Sequence, residues 1–73
     1  MSMWTKIRKD KNITMDHLVE LLSYKGINVS RQSLSKYENG QRKMPYNIMI
    51  EYLKMRGEKE DLIIINFLSN LMV

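Results

Sequence analysis

From Ser30 to Lys43 the chain concentrates hydrogen-bonding and cationic side chains: Ser30, Arg31, Gln32, Ser33, Ser35, Lys36, Asn39, Gln41, Arg42 and Lys43. A guanidinium can donate two parallel hydrogen bonds to guanine O6 and N7, and a carboxamide can bond adenine at N6 and N7 in both directions. Arg31 and Gln32 are therefore suited to reading base edges, with Ser35 and Lys36 one turn further along. Ser30, Ser33, Asn39, Gln41, Arg42 and Lys43, with the backbone N–H groups of Asn39 and Gly40, suit phosphate oxygens, which fix register without reading sequence. Taken singly, each of these residues is better explained as solvated surface. Their order along the chain is what points to a polyanion.

Other chemistry is poorly supplied. The chain has no cysteine and a single histidine, His17, on the polar side of its helix. Disulfides, thiolate metal sites and imidazole clusters are excluded, and so is the usual pairing of a nucleophile with a positioned base. Glu60-Asp61 reads as an acidic helix start, not as a general acid and base, and no glycine-rich phosphate loop is present. Neither an enzyme nor a cofactor-, metal- or small-molecule-binding protein is expected.

The charge distribution agrees with the Ser30–Lys43 segment. The 73 residues carry a formal charge of +4. Residues 1–45 hold nine Lys/Arg and four Asp/Glu, whereas residues 46–73 hold three and four, so all of the excess lies in residues 1–45. A basic half beside a near-neutral one suits a polyanionic partner. Lys6, Arg8, Lys9 and Lys11 would add distant charge. No secretory signal is visible, and the apolar tail from Leu62 to Val73 is shorter than the roughly 20 residues of a membrane span. A soluble, cytoplasmic protein with no membrane partner is expected.

The elements that must position these side chains are short amphipathic segments separated by turn signals. Met3, Trp4 and Ile7 share one face of a first helix that Asn12 stops, with Trp4 an expected core anchor. Thr14 caps a second helix with Met15, Leu18, Val19 and Leu22 on its apolar stripe and Asp16 in its first turn. Gly26 ends it, and Ile27 and Val29 are expected to tuck beneath the helices. Ser30 caps a third helix, Arg31 to Glu38, whose only bulky apolar residues are Leu34 and Tyr37. So narrow a stripe, with so much hydrogen-bonding surface, needs something polar to face. Asn39-Gly40 closes it. Pro45 starts a fourth helix with Ile48, Met49, Tyr52 and Leu53 buried, and Gly57 stops it.

The last segment, 58–72, opens on Glu58, Glu60 and Asp61 and continues as Leu62-Ile63-Ile64-Ile65-Asn66-Phe67-Leu68. Its apolar residues fall on almost every side, and the three isoleucines also permit a β-strand. Apolar surface beyond what one core can cover argues for a second chain. Ile64, Phe67, Leu68, Leu71 and Met72 are the expected contacts of such an interface, with a homodimer as the simplest form.

The stretch Ile7-Arg8-Lys9-Asp10-Lys11-Asn12-Ile13-Thr14, then Leu18, then Val29 to Gly40 followed by Pro45, resembles the Cro/CI (XRE) helix-turn-helix family of phage and bacterial repressors. The likeness covers about residues 4–62, and Val29–Gly40 is its most specific part. It implies an all-α, five-helix lambda-repressor-like domain spanning 1–73, with the helix-turn-helix at about 14–39. It also implies a repressor that binds double-stranded operator DNA as a dimer, often through the last helix. The family's base-reading positions fall on Arg31, Gln32 and Lys36, and its buried structural glutamate on Glu38. Two departures stand out. Met15 occupies the place of a glutamine that touches a phosphate in the family, and residues 23–28 replace a much shorter turn. The longer turn would either shift the recognition helix or add Lys25 as a phosphate contact.

Two rival readings use the same fold with a protein as the partner. Small helix-turn-helix proteins of phages can pair with another repressor as modulators, and antitoxins pair with toxins. The apolar carboxyl end and Met15 suit either.

Overall fold

Side-chain hydroxyls set where three of the helices begin. In the computed structural model, which describes residues 2–72, Ser2 Oγ accepts from Thr5 N at 3.1 Å at the head of α1 (Met3–Asp10). Thr14 Oγ1 accepts from His17 N at 3.1 Å before α2 (Met15–Tyr24), and Ser30 Oγ from Ser33 N at 3.0 Å before α3 (Arg31–Glu38). Each satisfies one of the amide donors that a helix start leaves without an internal partner. Pro45 stands at the head of α4 (Tyr46–Arg56), where its missing N–H costs nothing. α5 (Lys59–Leu71) opens on acidic residues, and Asp61 Oδ2 accepts from Glu58 N at 3.1 Å. The isoleucine run is therefore helix, and among the described residues there are five helices and no strand. Val73, the end of the apolar tail, lies with Met1 outside the described residues.

The stops are equally local. Gly57, at φ +70°, ends α4 in a left-handed conformation that a Cβ would strain. Asn12 adopts φ +57° after α1, a region that asparagine tolerates better than most residues.

The apolar stripes converge on one main core of Ile7, Leu18, Leu22, Leu34, Met44, Ile48 and Tyr52, drawn from α1 to α4 and the segment before α4. Ile27 and Val29 pack against it half-buried, as does Met15. The Trp4 ring meets Tyr52 edge-on, with centroids 5.5 Å apart. A second cluster, Ile50, Leu53 and Leu68, joins α4 to α5. Arg56 Nε donates to Asp61 Oδ2 at 2.8 Å across the same junction, and Arg56 Nη2 bonds Asp61 Oδ1 as well.

Two sequence expectations are corrected by this packing. Arg8 is buried rather than an outlying surface charge, because Glu38 draws its guanidinium inward. Leu68 is only 6 % exposed, covered by α4, and so belongs to the protein's own core rather than to an interface with another chain. No helix among the described residues is long and apolar enough to cross a membrane.

Candidate nucleic-acid interface

α3 is divided cleanly along its length. At 100° per residue, Arg31, Gln32, Ser35, Lys36 and Asn39 fall within one arc, and all five are exposed. Ser33, Tyr37, Leu34 and Glu38 occupy the remaining arc: Leu34 and Glu38 are buried, Ser33 and Tyr37 half-buried, and Glu38 lies at the margin next to Arg31. Leu34 is the helix's one fully buried apolar anchor. Its burial contributes about 1.5–3 kcal/mol. The sequence-assigned base-reading residues thus share one solvent-facing surface. Of the phosphate-directed residues, Ser33 is the exception: half-buried, its hydroxyl lies 3.0 Å from Ser30 Oγ within the cap.

The loop that follows presents Gln41, Arg42 and Lys43 to solvent. Its backbone does not serve as expected. Asn39 N donates to Ser35 O at 3.1 Å and Gly40 N to Tyr37 O at 3.4 Å, while Gln41 N and Arg42 N both donate to Lys36 O. Those amides close the end of α3, so any grip on phosphate in this loop falls to side chains. Asn39 Oδ1 is itself bonded by Gln41 N at 3.1 Å. Lys25, in the long turn, reaches away from this face and pairs with Glu51 of α4 at 2.7 Å.

Arg31 has a partner that the sequence reading missed. Its Nη1 donates to both carboxylate oxygens of Asp16 at 3.2 Å, linking the first turn of α2 to the first residue of α3. Asp16 has an ordinary explanation as an anion at a helix start, and that explanation hid its pairing with Arg31.

Beneath the exposed face, a buried polar network fixes the carboxyl end of α3. Arg8 Nε donates to Glu38 Oε2 at 2.8 Å and Nη2 to Oε1 at 3.2 Å. Thr5 Oγ1 donates to Oε1 at 2.9 Å, and the Tyr52 hydroxyl donates to Oε2. Arg8 Nη1 donates to the Ile13 carbonyl at 2.9 Å. Burial alone would push the Glu38 carboxyl up, but the bonds from Arg8, Tyr52 and Thr5 outweigh it and hold it below the ordinary range. The same bond to Glu38 holds Arg8 charged, and burial followed by the Glu38 contact pushes the Tyr52 hydroxyl far upward. Among the described residues no buried side-chain polar atom lacks a partner. The network ties α3 to α1 and α4 and leaves the outward face of α3 to other uses.

On α5 the exposed apolar residues form a flank. Ile63, Ile64, Phe67 and Leu71 fall within about 100° of one another at helical spacing. Ile63 is 74 % exposed and Phe67 63 %, and Met72 continues the apolar surface at the helix end. Ile63 was not among the expected interface residues, although a run of three isoleucines must turn one of them away from the core.

Compared with protein-family models, with curated proteins and with solved structures, the chain shows no match. Its functional reading rests on its own residues.

Proposed function

We propose that the chain is a sequence-specific DNA-binding regulator of the helix-turn-helix class, resembling Cro/CI repressors, which lays the exposed face of α3 in the major groove of operator DNA. The observation that carries this reading is the division of α3. Arg31, Gln32, Ser35 and Lys36 face outward, while Leu34 and Glu38 anchor the helix from behind. Arg31 and Gln32 begin the helix, where side chains of a groove-bound recognition helix reach bases. Arg42 and Lys43 flank them as phosphate contacts.

A reading head of four side chains on eight residues distinguishes few base pairs. Two copies related by a twofold axis would double the contacts and read a palindrome. The uncharged stripe Ile63, Ile64, Phe67 and Leu71 can match a copy of itself without any charge complement, and it is the surface assigned to that contact. The exposed stripe also favours the second reading, in which the principal partner is another repressor.

Selection of binding sites from a random duplex pool by the purified chain, at about physiological salt, tests the proposal. A palindromic consensus is expected, lost by Arg31→Ala/Gln32→Ala, with specific binding exceeding non-specific binding by roughly 10³-fold or more. Arg31→Ala should change the preferred base at one position per half-site, whereas Lys43→Ala should weaken all sites alike. Retention without a consensus, falling away with salt, would refute sequence-specific reading and favour the protein-partner alternative. Uniform loss in both single variants would refute the assignment of the reading face.

A further inference from the structure

The exposed face of α3 has a carboxylate beside it. Asp16 accepts from Arg31 Nη1 through both oxygens, at 3.2 Å each, and both side chains stay largely open to solvent. A guanidinium offers five N–H donors in one rigid plane. With Nη1 held, Nε and Nη2 remain, and neither makes a hydrogen bond among the described residues. That edge supplies two parallel donors of the kind that guanine O6 and N7 accept together.

A free arginine at the start of a recognition helix has two competing targets, a base edge and a phosphate. Asp16 acts against the second in two ways. It occupies the end of the guanidinium, so that only the Nε–Nη2 edge is presented. It also places negative charge at the first turn of α2, where a phosphate drawn toward Arg31 would meet it. A guanine meets no such repulsion.

We propose that Asp16 is a specificity-determining residue: by holding Arg31 through Nη1, it directs the arginine to a guanine and away from the phosphate backbone. The proposal rests on the reading of α3 as the DNA-facing helix. It differs from the ordinary role of an acid in a helix's first turn, which would stabilise α2 and leave base preference untouched.

The size of the effect follows from exposure. Measured couplings of exposed ion pairs correspond to about 1.4- to 5-fold in an equilibrium constant, and a good bidentate base contact to roughly 5- to 150-fold. Loss of Asp16 should therefore blunt the guanine preference without abolishing it.

The test uses the full chain, with the duplex selected by the wild type and every single base-pair substitution of it. Wild type, Asp16→Asn, Arg31→Ala and the double variant are titrated at several salt concentrations. Asp16→Asn is expected to reduce discrimination at one position per half-site by about two- to five-fold. It should also tighten binding to random duplex and steepen the salt slope by up to about one, as Arg31 gains a phosphate. In the Arg31→Ala background it should alter no base preference.

Unchanged preference in Asp16→Asn, or a change that persists without Arg31, would overturn the proposal. A helix-start role alone would appear as an equal fall in melting temperature in both backgrounds, with preferences intact. If the wild type selects no duplex at all, the DNA-binding reading fails and takes this inference with it. A selected site with unaltered preferences removes this inference alone.

Discussion

Replacing Glu38 by glutamine removes one charge from a group that is 3 % exposed while keeping its size. The carboxylate accepts four bonds, from Arg8 Nε and Nη2, from Thr5 and from Tyr52. A carboxamide has one acceptor oxygen, so its NH2 group must face a donor, and Arg8 is left buried without a counter-ion. Removing one partner of a buried ion pair costs about 3–5 kcal/mol. A chain of this length has a total stability of roughly 4–11 kcal/mol. Taking about 3 kcal/mol, because glutamine keeps part of the bonding, the melting temperature should fall by roughly 12–24 °C.

The pH profile provides an independent check. Glu38 is held below its ordinary value of 4.5 in the folded chain. Its contribution is therefore complete above that value and is lost as pH falls through the folded one. Wild-type stability should be level near neutrality and decline in acid. Glu38→Gln should show a shallower decline, not a flat line, because Asp61 is also held low, first by its bond from Arg56. Thermal unfolding followed by circular dichroism between about pH 3 and pH 7 reads both quantities. A Glu38→Gln melting point within about 3 °C of wild type at pH 7, or an identical acid slope, would refute the assigned role of the network.

Ser30→Ala removes the cap of α3 and should cost about 0.5–2 kcal/mol. An unchanged melting temperature would show that the cap bond contributes nothing. On α5, Ile63→Lys and Phe67→Lys should leave stability within about 0.5 kcal/mol of wild type and abolish self-association in sedimentation, whereas a persistent dimer would remove this flank from the interface. Leu68→Ala should instead destabilise each copy by about 2–5 kcal/mol, and a neutral effect would contradict its place in the core.

The helices were legible in the sequence because their starts and stops are local chemistry. Ser30 and Thr14 accept amide bonds three residues ahead, and Gly57 takes a conformation that few other residues tolerate. The face of α3 was legible for the same reason: periodicity alone separates Arg31, Gln32, Ser35 and Lys36 from Leu34. What failed was partnership across sequence distance. Arg8 looked like one of several surface cations, and nothing within α1 distinguishes it from Lys9. Only folding brings Glu38 within 2.8 Å of it. Leu68 likewise sits in a helix apolar on nearly every side, where periodicity cannot say which flank meets α4. The isoleucine run leaves helix and strand open on its pattern alone; in the structure it is helix, capped at its acidic start and packed on α4.

A helix that keeps one whole face polar has few apolar residues with which to hold its place. On α3 these reduce to Leu34 and the half-buried Tyr37. Apolar contacts are non-directional, so two of them leave a short helix some freedom to roll about its axis. Glu38 removes that freedom: its two oxygens accept from α1 on one side and from Tyr52 of α4 on the other. Well-packed apolar residues in place of such a pair are often as stabilising or more so, so stability alone gives little reason for it. Orientation gives a better one. An error of a few degrees in roll would displace the tips of Arg31 and Gln32 by far more than it displaces the backbone, and paired base contacts tolerate little displacement. If α3 faces DNA as proposed, the buried carboxylate and the exposed arginine are two ends of one requirement: a helix with so polar a face must be held from behind by bonds that have direction.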